Sequence, residues 1–183
     1  QVMMGDVPVS IVIEAPRKRG GKAFEAMESA FREARDLESR VSEWSTKSGT
    51  SLLNQMAGLS PVKVGPDLFK MLKTALSTSE ETDGAFDITF SSTNRTASWR
   101  DLMIDDRRRT AFLNLPGMSI GVSGIAKGYI IDRMRDVLKK SGFRNFIINA
   151  GGDIITSGLN GEKPWSVGIR SPDKNGKTIC EIF

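Results

Sequence analysis

Histidine is missing altogether from the 183 residues. That absence excludes Ser-His-Asp chemistry, histidine general bases and every His-ligated metal site. Cysteine is nearly missing, with Cys180 alone, so no internal disulfide can form and soft-metal sites are excluded in practice. No apolar run approaches the roughly 18 to 20 residues that a membrane-crossing helix needs. The first residue is Gln1 rather than Met, as expected of a chain whose N-terminal segment has been removed by cleavage or cloning, and no signal peptide is there to be read. Chemistry is left to carboxylate, hydroxyl, lysine and backbone, with a hard cation such as Mg²⁺ as the fitting metal.

The residues that are present fit a soluble globular chain: 39% hydrophobic residues, mixed charges and a net charge of +4. A chain of this length suggests a single domain and can bury well over half of its unfolded surface. The modest positive excess would attract an anionic ligand and says nothing about fold. Nucleic-acid binding would require a wider basic face interleaved with aromatics, and the run Arg107-Arg108-Arg109 is only a solvated turn.

Periodicity supplies the elements. Val9, Ile11 and Ile13 alternate along a strand over residues 7–14. Phe24, Met27, Phe31, Ala34, Leu37, Val41 and Trp44 recur at three- and four-residue steps, which predicts a long amphipathic helix over 22–45. Leu52-Leu53-Asn54 is a short apolar piece. Gly65-Pro66-Asp67 starts a second helix, which ends before Asp83-Gly84. Strands are read next at 102–104, 111–115 and 118–122. Ser123 caps a third main helix to about Lys140, with Gly142 just beyond its end. Further strands are read at 143–149, 153–156, 165–170 and 178–183. The sum is an α+β fold, a mixed and largely antiparallel sheet flanked by about three main helices.

Three segments point to chemistry. Ser123-Gly124-Ile125-Ala126-Lys127-Gly128 lies between a strand and a helix, where small residues let a phosphate approach N–H groups that lack intrahelical partners. Lys127 opposes the helix dipole there, and an anionic ligand would explain its position. The segment is neither a Walker loop nor a Gly-x-Gly-x-x-Gly fingerprint, and a tight turn packed under a sheet explains it as well. Asn149-Ala150-Gly151-Gly152-Asp153 reads as a bulge or tight turn between strands. Asp83-Gly84-Ala85-Phe86-Asp87 is an Asp- and Gly-rich turn leaving a helix, an ordinary arrangement on its own.

Their order along the chain is more specific. Met4-Gly5, Trp44-Ser45-Thr46 with Leu53-Asn54, Ala85-Phe86-Asp87, Gly124-Ile125-Ala126-Lys127-Gly128-Tyr129, Gly151-Gly152-Asp153 and Pro164-Trp165-Ser166-Val167-Gly168-Ile169 together resemble the ApbE family, the FAD:protein FMN transferases. The resemblance spans nearly the whole chain as one ApbE-like domain, 1–183. It implies a Mg²⁺-dependent transferase that moves FMN from FAD onto a threonine of a target subunit, such as those of the sodium-pumping NADH:quinone oxidoreductase (Nqr) and its Rnf relatives. It implies FAD contacts at Met4, Ala85, Phe86, Asp87, Gly121 and Lys127, and a Mg²⁺ partly held by the carbonyl of Gly124. No residue is assigned as catalytic. Some relatives instead hydrolyse FAD to FMN and AMP. Location by the same analogy is periplasmic or at the inner membrane, attached only through an N-terminal anchor.

The sequence departs from the family pattern in several places. An Asp is usual where Gly121 stands. The tyrosine expected after Ser45-Thr46 is Lys47, which removes a flavin-stacking ring. The stretch between Phe90 and Trp99 is shorter than usual. The family's later stretch, with a His-x-Ile-Asp-Pro-type segment and further metal ligands, is not among the 183 residues. A helix N-terminus contributes about 0.3 to 1 kcal/mol toward an anion, whereas a well-held metal supplies several kcal/mol at a phosphoryl oxygen. This leaves two expectations: a piece of a longer transferase, or a short FAD-binding or structural relative without catalysis.

Overall fold

The structure is a computed structural model that describes residues 1–3, 6–172 and 178–182. The chain divides into two compact units, Gln1–Arg32 with Ile131–Phe183, and Glu33–Ile130.

The first unit is built on an antiparallel sheet. Strands β1 (Val2–Met3), β2 (Val7–Ile13), β6 (Phe146–Ala150) and β7 (Asp153–Ser157) lie in the order β1-β2-β6-β7. Its register sets Val9 opposite Ala150, Ile11 opposite Ile148 and Ile13 opposite Phe146, so the period-2 pattern puts one apolar row on one face. Phe146 and Ile148 are completely buried, each worth about 1.5 to 3 kcal/mol of transfer free energy. Two further antiparallel hairpins come later in the chain, β8 (Leu159–Asn160) with β9 (Lys163–Pro164) and β10 (Val167–Arg170) with β11 (Thr178–Ile182). The last residue of the strand expected at 178–183, Phe183, lies outside the described residues.

The second unit holds helices α2 (Gly49–Gln55) and α3 (Pro66–Glu81) and the sheet β3-β5-β4, formed by β3 (Val62–Lys63), β4 (Leu102–Asp105) and β5 (Thr110–Leu113). Helix α3 starts as the Gly-Pro-Asp signal predicts, with Pro66 in its first turn and Asp67 beside it. Its buried stripe is Leu68, Met71, Leu72 and Ala75. In the β4–β5 turn the N–H groups of Arg107 and Arg108 donate to Asp105 Oδ1 at 2.9 and 3.0 Å, so the triple arginine crowns an ordinary Asx-type turn.

Helices α1 (Gly20–Val41) and α4 (Ser123–Lys140) each contribute residues to both units. Helix α1 stops at Val41, four residues short of the expected end. Its buried positions include Ala26, Ala30, Ala34, Leu37 and Val41, while Phe24 is 61% exposed, so neither end of the expected stripe is core. Helix α4 ends with Lys139 and Lys140, and Gly142 comes next but one at φ +81°, the left-handed stop that glycine permits.

Two sequence expectations change, and one piece left without an element gains one. Residues 52–54 belong to a helix, capped by Ser48 Oγ accepting from Ser51 N–H; seven residues are too few to show a period. Residues 118–122 are no strand, because their N–H groups go to side chains and to an irregular loop. Ser123 is the first helical residue rather than the cap, since Val122 O already accepts from Ile125 and Ala126 N–H at 2.9 and 2.8 Å.

Candidate functional site

The residues that leave α3 and those that lead into α4 all lie within the second unit. Beyond α3, Asp83 at φ +49° and Gly84 at φ +81° turn the chain sharply. Phe86 N–H then donates to Thr82 Oγ1 at 3.1 Å. Asp87 fixes the next stretch of chain: its Oδ1 accepts from both Thr89 N–H and Thr89 Oγ1 at 2.7 Å, and its Oδ2 accepts from Trp99 N–H at 3.2 Å. Three donors on one carboxylate make Asp87 the clamp of this turn. Trp99 is itself placed by a capping box, with Ser98 N–H donating to Asp101 Oδ2 at 2.9 Å.

The approach to α4 is held donor by donor. Ser119 N–H donates to Ser92 Oγ at 3.0 Å, and Ile120 N–H to Asn54 Oδ1 at 2.8 Å. Gly121 N–H donates to Ile88 O at 2.9 Å, and Val122 N–H to Glu43 Oε2 at 2.6 Å. Asn54 closes its grip by donating Nδ2–H to Ile120 O at 3.0 Å. The two motif turns then meet: a Cβ on Gly124 would lie 3.0 Å from Phe86 Cε2, so the Phe86 ring packs close against Gly124 and would have to shift for a side chain there.

The structure therefore joins Phe86 to Gly124, and Asp87 to Thr89 and Trp99. Ala85 is exposed on the same turn, Gly121 is buried, and Lys127 is half-buried one turn into α4. Met4 lies outside the described residues. The Gly151-Gly152 turn belongs to the first unit, where it closes the β6–β7 hairpin with Asn149 Oδ1 accepting from Gly152 N–H at 3.0 Å. That is the tight-turn reading of the pair. Tyr129 is spent on packing: its hydroxyl donates to Asp67 Oδ1 at 3.0 Å.

Sequence reasoning passed over Glu43, Phe90 and the exposure of Trp44. Trp44 is 88% exposed and Phe90 67% exposed, and the edge of the Phe90 ring lies 3.0 Å from the position of a Cβ on Gly121. Trp44 comes directly after the residue that holds Val122. It stands beyond the last turn of α1, and the neighbouring polar run 45–51 was the signal that the helix had already ended. The region that carries Lys47 in place of a tyrosine thus still presents an exposed ring.

Chemically, the start of α4 offers N–H groups without intrahelical partners and the positive end of the helix dipole, with Lys127 as a point charge nearby. Magnesium is a different matter. It is held in proteins by one or two carboxylates, with water and phosphate completing an octahedron. Among the described residues no three of Asp, Glu, His and Cys gather into a group that could hold a metal. Asp87 has both oxygens on protein donors, and Glu43 has one on Val122. No cage of three or more such ligands is built around Gly124 among the described residues, so phosphate and water would have to complete the shell of an ion held there.

The sequence profile of the ApbE family matches residues 4–98 and 91–183. An FAD:protein FMN transferase of Klebsiella pneumoniae is 28% identical over 151 residues, covering 69% of this chain and 46% of that protein. Its counterpart in Haemophilus influenzae is 26% identical, covering 87% of this chain and 54% of that protein. The chain thus spans about half the length of the curated relatives it matches. Among solved structures, the flavin transferase ApbE from Vibrio cholerae superposes with a TM-score of 0.81 at 21% identity over 98% of this chain and 64% of that one. An ApbE protein from Thermotoga maritima gives 0.76 at 22% identity, over 96% and 63%. At these identities the superpositions speak for the fold.

Proposed function

We propose, since the chain belongs to the ApbE family, that it serves the transfer of FMN from FAD onto a threonine of a target flavoprotein subunit. The observation that carries this reading is the meeting of the Ala85-Phe86-Asp87 turn with the start of α4 at Gly124. Two segments far apart in sequence make one surface, with a phosphate-receptive helix start on one side and the exposed Phe90 ring against Gly121. Cleaving a pyrophosphate needs stabilisation of charge on the phosphoryl oxygens and on the departing AMP. In this reading the N–H groups at the start of α4 and the Lys127 ammonium supply that stabilisation. Phe86 and Asp87 hold the turn that faces them, and Trp44 offers a flat ring for the isoalloxazine.

Subunits of the Nqr and Rnf type are the acceptors proposed, with Mg²⁺ as the ion that the family resemblance implies. The proposed location is the periplasm or the periplasmic face of the inner membrane; among the described residues no helix is long and apolar enough to cross a membrane. Residues 1–183 are taken as one ApbE-like domain. One observation favours a second reading, an FAD-binding relative without catalysis: the acid of the recognised turn, Asp87, is committed to Thr89 and Trp99.

The test is incubation with FAD, a subunit carrying the acceptor threonine, and either MgCl₂ or a chelator, read by in-gel flavin fluorescence. Labelling that requires MgCl₂ supports the transferase. Saturable FAD binding without labelling, or with release of FMN and AMP, selects the non-catalytic or the hydrolytic relative.

A further inference from the structure

We propose that Glu43 is a positioning residue of this site: its carboxylate holds the turn into α4, and it arrives there through the space that the missing side chain of Gly121 leaves open. Of the four successive N–H groups that lead into α4, three are received by neutral groups, Ser92 Oγ, Asn54 Oδ1 and Ile88 O. The last, Val122 N–H, is received by an acid at 2.6 Å, from 79 residues away in sequence. A charge-assisted bond of that length is the strongest of the four. It falls on the residue whose carbonyl begins the helix, so it sets where the first N–H groups of α4 stand.

Gly121 explains how the acid gets there. It is not among the glycines at positive φ, so its backbone makes no demand that another residue could not meet. Space is the demand: a Cβ at Gly121 would lie 3.1 Å from Glu43 Oε2 and 3.0 Å from Phe90 Cε1. Glu43 is anchored in turn, since Ser51 Oγ–H donates to its carbonyl at 3.1 Å. Positions 43, 90 and 121 form one fitted set, and the acid and the glycine depend on each other.

The inference rests on the flavin reading only for its binding readout. The experiment compares Glu43→Gln, Glu43→Ala, Gly121→Ala and the double variant Glu43→Ala/Gly121→Ala in the full chain. It measures FAD affinity by titration, thermal midpoint, and amide hydrogen exchange at Val122. Glu43→Ala is expected to speed exchange at Val122 and weaken FAD binding about tenfold, the size of one charged hydrogen bond lost. Glu43→Gln keeps an acceptor but gives up the charge assistance, so it is expected to fall between the parent chain and Glu43→Ala in FAD affinity and in exchange at Val122. Gly121→Ala is expected to cost less in the Glu43→Ala background than in the parent, in melting and in exchange. Strict additivity, unchanged exchange at Val122 in Glu43→Ala, or Glu43→Gln no better than Glu43→Ala would each overturn the proposal. If the parent chain fails to bind FAD, the flavin reading falls, while the exchange and melting cycle still decides the role of Glu43.

Discussion

The sheet of the first unit and the loop region of the second are held together by different means. In β2, β6 and β7 each residue is held by the next rung of a ladder, with Val12 opposite Ile147 and Ile147 opposite Thr156. A ladder is redundant, and burial of alternate residues enforces its register. Around residues 82–101 and 118–124 there is no ladder. Individual side chains hold one or two backbone groups each: Asn54 grips Ile120, Glu43 grips Val122, and Asp87 grips Thr89 and Trp99. Each such contact is worth about 1 kcal/mol net, yet leaving its partner buried and unpaired costs about 1 to 3 kcal/mol. Side chains, rather than a ladder, fix this region.

The contrast sets a ranking of stability losses. Phe146→Ala in the ladder is expected to cost about 3 to 5 kcal/mol, because the ring is completely buried and leaves a cavity. Urea denaturation measures it. Asn54→Ala should cost less, about 1 to 3 kcal/mol, since it orphans one N–H and one C=O of Ile120 without opening a large void. In the same variant the protein should also lose part of its affinity for FAD, whereas ligand affinity per folded molecule should be kept in Phe146→Ala. The reverse order of the two losses would abolish the distinction between ladder and pins.

The same contrast decides how much could be read from sequence. Period-2 and period-3.6 patterns come from repeated burial, so β2, β6, α3 and α4 were legible to within a few residues. The α1 stripe reads too long because Phe24 and Trp44 continue its spacing without being buried, and spacing alone does not report exposure. The motif turns were legible as resemblance, but their joining was not. Nothing local in Glu43 or in Gly121 indicates that the carboxylate of one fills the side-chain space of the other. Phe86 likewise carries no sign that it will rest on Gly124. Such one-to-one fits carry no period, and they become visible only when the chain is folded.

Further down the ranking stands Lys127→Ala. A lysine early in a helix gains nothing from the dipole, and the Lys127→Ala chain is expected to stay folded. The upward shift of the melting temperature on adding FAD should shrink, because ligand stabilises the native state in proportion to its affinity. Melts at several FAD concentrations check this. An unchanged shift would move the phosphates away from the start of α4.

The smallest stability effect and the cleanest binding effect should come from Trp44→Ala. The side chain is 88% exposed, and exposed substitutions of this kind alter stability within about 0.5 kcal/mol. If the isoalloxazine stacks on Trp44, removing the ring should cost about 1 to 3 kcal/mol of affinity, the usual scale for a planar base on an aromatic side chain. The loss should appear for FAD and for riboflavin, and not for ADP, because only the first two carry the flavin ring. FAD and ADP, but not riboflavin, should still bind through their phosphates in the variant, which separates the stacking end of the site from its phosphate end. Isothermal titration of the three ligands against the parent chain and Trp44→Ala reads both ends at once. Equal losses for ADP and riboflavin would mean that Trp44 supports the loop rather than the flavin, and would place it with Asn54 among the pins.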